Sequence, residues 1–177
     1  MKTKGKQLVI FIPYTDKSTR KLGEDCVANG KELFENIKKC FANKKPVHFG
    51  DQLITNALLI YSNMSEKINL EEDSIVMLHA YGGEINGKLR DDNRGKVTVR
   101  ETIKLVEDLL GSTTISELHF AVCYSALKGH IARKWKNKYP EYEVFGNEDE
   151  YEEDGIITTE SNDQFLIDAK TAIKIMN

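Results

Sequence analysis

Two kinds of hydrophobic pattern alternate along the chain. Short apolar runs, typical of buried strands, are separated by segments whose apolar residues recur every three or four positions, as on one face of a helix. The predicted strands are Gln7 to Ile12, Val47 to Phe49, Ser74 to His79, Leu118 to Cys123, Glu143 to Phe145, Ile156 to Thr159 and Gln164 to Ile167. This alternation predicts an α/β fold with a mostly parallel central sheet and helices on both faces.

Four helices are predicted from the spacing of apolar residues. They are about Gly23 to Ala42, a second with Leu53, Ala57, Leu58, Tyr61 and Met64 on one face, a third with Val99, Ile103, Val106 and Leu110, and a fourth with Leu127, Ile131, Trp135 and Tyr139. Gly111 is a stop signal for the third helix, and Pro140 ends the fourth. The segment from Gly83 to Val97 is a polar connection, and the tail from Ala169 to Met176 fits either a strand or a helix.

The composition predicts a single folded domain over residues 1-177. The chain has 40% hydrophobic and 30% charged residues and only three prolines, as ordinary globular domains do. A net charge of -3 gives no general attraction to nucleic acid or to an anionic membrane surface. We therefore expect neither of these as a partner.

Cysteine usage and the N-terminus bear on the compartment. Three cysteines without a CxxC pair argue against a disulfide framework and against a zinc site. The apolar run from Leu8 to Ile12 is interrupted by Pro13 and is too short for a signal peptide. We expect a cytoplasmic protein that needs no metal or cofactor, with delivery to another cell by a non-classical route left open.

Two of the predicted strands end on residues that can do chemistry together. One stops at His79 and the other at Cys123, and functional groups in open α/β sheets collect beyond the carboxyl ends of the strands. A Cys becomes an effective nucleophile when an imidazole takes or balances its proton. The pattern also predicts a helix directly after Cys123, whose dipole would favour the thiolate.

The remaining histidines and cysteines are weaker candidates. Cys26 and Cys40 fall on the inner stripe of a predicted helix and are interpreted as core residues. His119 lies inside the Cys123 strand, where a buried position is expected. His48 and His130 lie on a weak strand and a polar helix face, so the dyad of His79 and Cys123 is preferred.

These features resemble the caspase-like cysteine peptidases of clan CD. That superfamily includes caspases, metacaspases, legumains, gingipains, clostripain and the self-processing domains of bacterial toxins. Its members have a hydrophobic strand ending in the catalytic His, and a neighbouring one ending in a small residue and the catalytic Cys. The caspase His lies about 50 residues upstream of the Cys, and His79 lies 44 positions upstream of Cys123. Gly83 and Gly87 occupy the fourth and eighth positions after His79, where caspases have glycines. Lys21, Gly23 and Asp25 match the basic residue and the Gly-x-Asp helix start that follow the first caspase strand.

The resemblance implies a three-layer caspase-like sandwich and a peptidase that cleaves protein or peptide substrates. His79 would be the general acid and base, and Cys123 the nucleophile that forms a thioester. The oxyanion donors would be the backbone N–H of Cys123 and one from the turn of Ala80 to Gly82. Substrate contacts are expected from Lys21, Tyr81, Gly83 and Ser125.

Three departures from the family pattern are visible. Ala80 follows the His where these enzymes usually have Gly, and Ala121-Val122 precedes Cys123 where caspases have Gln-Ala. Specificity for aspartate therefore has no support. A helix directly after the Cys leaves no room for the processed linker of two-chain caspases, so the chain is more similar to the compact bacterial members.

Two alternatives stay open. A catalytically decayed caspase-like binding or regulatory module would have the same pattern, and both Ala80 and the missing Gln before Cys123 favour it. A flavodoxin-like or TIR-like nucleotide-binding domain shares the alternation, but the chain has neither GxGxxG nor GxxxxGK[ST]. The acidic run from Glu148 to Asp154, with six carboxylates in seven positions, is interpreted as a solvated loop.

Overall fold

The computed structural model of the chain describes residues 5–13, 29–62, 68–82, 89–90, 96–148, 157–169 and 172–176. Several residues of the predicted elements and sites lie outside these ranges: Lys21, Gly23, Asp25, Cys26, Met64, Gly83, Gly87 and positions 149–154 of the acidic run. None of the helices in the described ranges has the length and apolarity that a membrane span needs.

Three helices and twelve strands are present in the described residues. The helices are α1 (Asn29–Ala42), α2 (Val99–Leu110) and α3 (Ile131–Lys138). The strands are β1 (Lys6–Ile12), β2 (Val47–Phe49), β3 (Gln52–Tyr61), β4 (Ile75–His79), β5 (Tyr81–Gly82), β6 (Leu89–Arg90), β7 (Lys96–Val97), β8 (Glu117–Ala121), β9 (Val144–Gly146), β10 (Ile157–Glu160), β11 (Phe165–Asp168) and β12 (Ile173–Lys174).

Nine of these strands form a single sheet in the order β10-β11-β2-β3-β1-β4-β8-β9-β12. The five pairings β3-β1, β1-β4, β4-β8, β8-β9 and β11-β2 are parallel, and three are antiparallel. The predicted α/β fold with a mostly parallel sheet is confirmed. Strands β5, β6 and β7 form a separate small antiparallel sheet.

Successive residues of the central strands enter two hydrophobic clusters. In β1, Val9 and Phe11 belong to one cluster, and Leu8 and Ile10 belong to the other, because side chains alternate between the faces of a strand. The first cluster contains buried side chains of α2 and α3, and the second contains those of α1. The central strands are buried on both faces, which explains their continuous apolar runs.

The sheet curls over the second cluster. Strands β2 and β8 are four strand spacings apart in the sheet order, about 19 Å along a flat sheet. Nevertheless the rings of Phe49 in β2 and His119 in β8 lie 5.0 Å apart in an edge-to-face contact. The Gln52 amide also donates a hydrogen bond of 2.8 Å to Glu117 Oε2. The turn between β2 and β3 therefore folds back over the face that His119 occupies.

The second predicted helix is wrong, because the segment is strand β3. It pairs with β1 along seven register positions, with a register shift that skips Thr55. Ile54 and Ala57 are both buried in the second cluster, three residues apart. A bulge adds one residue to the two-residue period of a strand. The residues whose spacing predicted the helix lie on both faces of the strand, with Ala57 in the second cluster and Leu58 and Tyr61 against the first.

The prediction of a helix directly after Cys123 is also wrong. Strand β8 ends at Ala121, and helix α3 begins only at Ile131. Tyr124 has φ of +58° and Gly129 has φ of +82°, and neither angle is compatible with a right-handed helix. The residues between β8 and α3 form turns and bends, so Cys123 does not lie at a helix N-terminus and gains nothing from its dipole.

Most of the other predicted strands and helix ends are confirmed. The strands predicted around β1, β2, β4, β8, β9, β10 and β11 are all present within one to two residues of their predicted ends. Helix α2 ends where Gly111, at φ of +54°, donates its N–H to Glu107 O. Helix α3 ends before Pro140, as predicted, and the ambiguous tail contributes strand β12, which pairs with β9.

Candidate active site

His79 and Cys123 lie at the same edge of the sheet. Strands β4 and β8 are parallel neighbours, and His79 is the register partner of Ala121. Cys123 follows two residues later, in the turn after the carboxyl end of β8. The sequence pattern predicted this placement, and both residues lie at the carboxyl edge of the sheet, where functional groups of α/β sheets collect.

The His79 imidazole is buried and has an unpartnered nitrogen. The residue is 5% exposed, and its Nε2 has no hydrogen-bond partner among the described residues. Burial lowers the pKa of His79 from 6.5 to about 4, because the charged imidazolium loses its hydration. At neutral pH the ring is therefore uncharged. A buried polar atom without a partner is costly, and proteins often retain one where it has a catalytic role.

Cys123 occupies a tight turn with a left-handed residue next to it. The Ser125 N–H donates to Val122 O at 3.2 Å, which closes a four-residue turn with Cys123 and Tyr124 at its centre. Tyr124 has φ of +58°, a conformation that costs an L-residue about 1–2 kcal/mol. Positive φ at the third position only is the feature of a type II turn, which usually has Gly there. Local strain of this kind often marks functional sites.

Ser125 was predicted to contact substrate, but its side chain is buried and bonded to the protein backbone. The residue is 1% exposed, and its Oγ donates to Phe120 O at 3.1 Å and accepts the Asn147 N–H at 3.0 Å. Both bonds are to the protein backbone. Ser125 therefore holds the turn that contains Cys123.

The chain leaves the main sheet immediately after His79. Ala80 is 3% exposed and packs in the first cluster, and Tyr81 and Gly82 then form β5, opposite Arg90 and Leu89 of β6. The predicted oxyanion donors of Ala80 to Gly82 thus lie where the backbone passes from one sheet to the other. Lys21 and Gly83 are not among the described residues, so these two predicted substrate contacts have no structural description.

Two of the residues that were set aside, Cys40 and His119, are buried. Cys40 is 4% exposed in the second cluster, and burial raises the pKa of its thiol. His119 is 5% exposed and stacks on Phe145 with ring centroids 4.4 Å apart. The prediction that Cys40 and His119 are core residues is confirmed.

Asn147 was missed by sequence reasoning. It is 5% exposed, directly follows β9 and contacts the turn of Cys123 through Ser125. The sequence feature that could have identified it is a polar residue at the end of a short apolar strand, just before the acidic run.

Comparison of this chain with protein-family models, with curated proteins and with solved structures finds no match. Within the described residues no three His, Cys, Asp or Glu side chains are grouped as metal ligands would be. Function is therefore inferred from the geometry at the edge of the sheet.

Proposed function

We propose that this chain is a caspase-like cysteine peptidase that cleaves protein or peptide substrates through a dyad of Cys123 and His79. The observation that carries the proposal is the placement of a thiol and a buried imidazole at the carboxyl edge of adjacent parallel strands, where His79 is paired with Ala121. An unpartnered Nε2 supports it, because an imidazole kept for proton transfer needs an unoccupied nitrogen.

The uncharged state of His79 sets the order of the chemical steps. The imidazole takes the proton from the Cys123 thiol, and the sulfur attacks the substrate carbonyl carbon. The resulting oxyanion is stabilised by the backbone N–H of Cys123 and one from Ala80 to Gly82. The imidazolium then protonates the departing amine as the C–N bond breaks, which leaves a thioester. Water, deprotonated by His79, hydrolyses the thioester and restores the thiol.

This cycle requires no metal ion and no cofactor. The cycle does not start from a stable thiolate–imidazolium pair, because a His79 pKa of about 4 favours the neutral ring before substrate binds. The thiolate then forms during the attack. In the proposal Tyr81, Lys21 and Gly83 remain candidate substrate contacts, and the cytoplasm remains the predicted location.

The fold in this proposal is the three-layer caspase-like sandwich. Its support is that α1 side chains pack in one cluster of the sheet, while α2 and α3 side chains pack in the other. The His strand β4 and the Cys strand β8 are neighbours near the middle of the sheet, the arrangement that the resemblance implies.

The test is cleavage of a mixed peptide library by the purified chain, followed by mass spectrometry. Wild type is expected to cut at a recurring residue class, and both Cys123→Ala and His79→Gln should reduce turnover by about a thousandfold or more. Cys40→Ala is the matched control, since it removes a buried thiol elsewhere in the core. Cleavage that survives in Cys123→Ala would overturn the proposal.

A second function, a decayed caspase-like binding module, is favoured by the low solvent exposure of the two dyad residues. Cys123 and His79 are 9% and 5% exposed. An open groove between α2 and α3, lined by Thr98, Ile103 and Lys134 among others, does not include either residue. This second function predicts that Cys123→Ala retains the biological phenotype, whereas the peptidase proposal predicts that the phenotype is lost.

A further inference from the structure

The strands β8 and β9 separate just before the turn of Cys123, and side chains replace the backbone pairing there. Their parallel register ends at His119 and Phe145. The next carbonyl, Phe120 O, accepts the Ser125 hydroxyl at 3.1 Å and the Asn147 Nδ2 at 3.4 Å. A buried carbonyl at the end of the ladder is thus satisfied by two side chains.

Three segments meet at this point. The Asn147 N–H donates to Ser125 Oγ at 3.0 Å, and the Ala126 N–H donates to Asn147 O at 2.9 Å. The bonds between Phe120, Ser125, Ala126 and Asn147 form what we term the Ser125–Asn147 network. It joins the end of β8, the turn of Cys123 and the end of β9.

The network also reaches helix α3. The Ala132 N–H donates to Ser125 O at 3.0 Å, and Arg133 Nε donates to Ala126 O. The turn is therefore held from the sheet on one side and from the first helical turn of α3 on the other. Ser125 takes part on both sides and lies two residues after Cys123.

At Gly146 the end of β9 packs closely against the turn and helix α3. A Cβ atom on Gly146 would lie 2.8 Å from Ser125 Oγ and 2.9 Å from Ala132 Cβ, closer than real Cβ atoms approach. Only glycine leaves room for the Ser125 hydroxyl to reach Asn147. Hydrogen bonds and packing therefore hold the turn in one position.

We propose that Ser125 and Asn147 are positioning residues that fix the turn carrying Cys123 in its reactive geometry. The proposal rests on the peptidase function above, and it assigns the two side chains no contact with substrate. The left-handed Tyr124 needs such support, because a strained turn persists only where its surroundings determine it. Misplacement of a reacting group by about 1 Å can cost on the order of a hundredfold in rate.

The experiment compares Ser125→Ala and Asn147→Ala with a buried-serine control. Ser74 is fully buried at the opposite edge of the sheet, where its hydroxyl bonds to Gln7 Oε1 at 3.0 Å and Glu71 O at 2.6 Å. Ser74→Ala should lower the urea midpoint to a similar extent as Ser125→Ala. In folded protein, however, Ser125→Ala and Asn147→Ala should lower kcat by roughly tenfold to a hundredfold with little change in KM, and Ser74→Ala should leave kcat unchanged.

The double variant provides a second readout. Because Ser125 and Asn147 act as one network, Ser125→Ala combined with Asn147→Ala should lower kcat about as much as the stronger single variant alone. Equal kcat values for Ser125→Ala and wild type, at equal folded fraction, would overturn the proposal.

Hydrogen exchange separates this proposal from the peptidase function. The backbone N–H groups of Ala126 and Asn147 should lose protection in Ser125→Ala but keep it in Ser74→Ala, whether or not the protein cleaves peptides. An inactive wild type with this exchange pattern would overturn the peptidase function alone. Unchanged protection in Ser125→Ala would overturn the positioning role, even in an active enzyme.

Discussion

His79 is paired with Ala121 across the parallel strands β4 and β8, two residues before Cys123. This register brings a buried, uncharged imidazole and a thiol to one edge of the sheet. The chain then leaves each strand in a different way. After His79 it passes into the small sheet of β5, β6 and β7, and after Cys123 it enters the turn held by Ser125 and Asn147.

Burial of His79 makes stability depend on pH. Its pKa is about 4 in the folded protein and about 6.5 when unfolded, so between these values the unfolded chain binds more protons. The contribution of the buried, uncharged His79 to the free energy of unfolding is fully present above pH 6.5. The free energy of unfolding falls by about 3 kcal/mol as the pH decreases toward 4. Urea unfolding at pH 7.5 and pH 4.5 should show this loss in wild type and a smaller loss in His79→Gln.

The control for this pH dependence is Cys123→Ala, which removes the thiol and keeps the imidazole. It should lose stability between pH 7.5 and pH 4.5 as wild type does. If His79→Gln loses as much stability as wild type over the same interval, the burial of an uncharged His79 is contradicted.

The left-handed conformation of Tyr124 should determine which residues its position accepts. Asn tolerates positive φ better than most residues and β-branched residues tolerate it poorly, so Tyr124→Asn should be more stable than Tyr124→Val by about 1–2 kcal/mol. At the exposed strand position Thr158 the order should reverse, since Val favours strands. Urea midpoints of the four variants measure both differences; a more stable Tyr124→Val would contradict the assigned turn.

Close packing of Gly146 in β9 against Ala132 in α3 predicts that substitutions at these two positions have coupled effects on the free energy of unfolding. Gly146→Ala should cost about 1–3 kcal/mol, because the new methyl group overlaps Ser125 Oγ and Ala132 Cβ. In an Ala132→Gly background one of these contacts is absent, so the same substitution should cost less. A double-mutant cycle from thermal or urea unfolding measures the coupling, and strict additivity would contradict the contact.

The sequence pattern predicted strands well where both faces are buried. Continuous apolar runs identified β1, β4 and β8, including the end of β4 at His79, whereas β8 ends at Ala121, two residues before Cys123. Strand β3 was mistaken for a helix because Leu53, Ala57, Leu58 and Tyr61 follow helical spacing, although Ala57 packs in the second cluster and Leu58 and Tyr61 against the first. Periodicity alone does not distinguish a short apolar run in a buried strand from a helix.

The turn after Cys123 shows a different limit of sequence reasoning. Leu127, Ile131 and Trp135 follow helical spacing, yet the helix begins only at Ile131. The turn that contains Tyr124, which has a positive φ, is held next to β9 by hydrogen bonds of Ser125 and Ala126 with Asn147, more than 20 residues further along the chain. Such a conformation at Tyr, where Gly is the usual residue, leaves no local signal.

The central claim is that Cys123 is the reactive thiol of a Cys/His dyad. Incubation of the chain at pH 7 with an acyloxymethyl ketone peptide probe, followed by mass-spectrometric mapping of the adduct, tests it most directly. We predict modification at Cys123 that is abolished in Cys123→Ala and slowed by at least about tenfold in His79→Gln, with Cys40 unmodified. Modification confined to Cys40 or Cys26 would contradict the account.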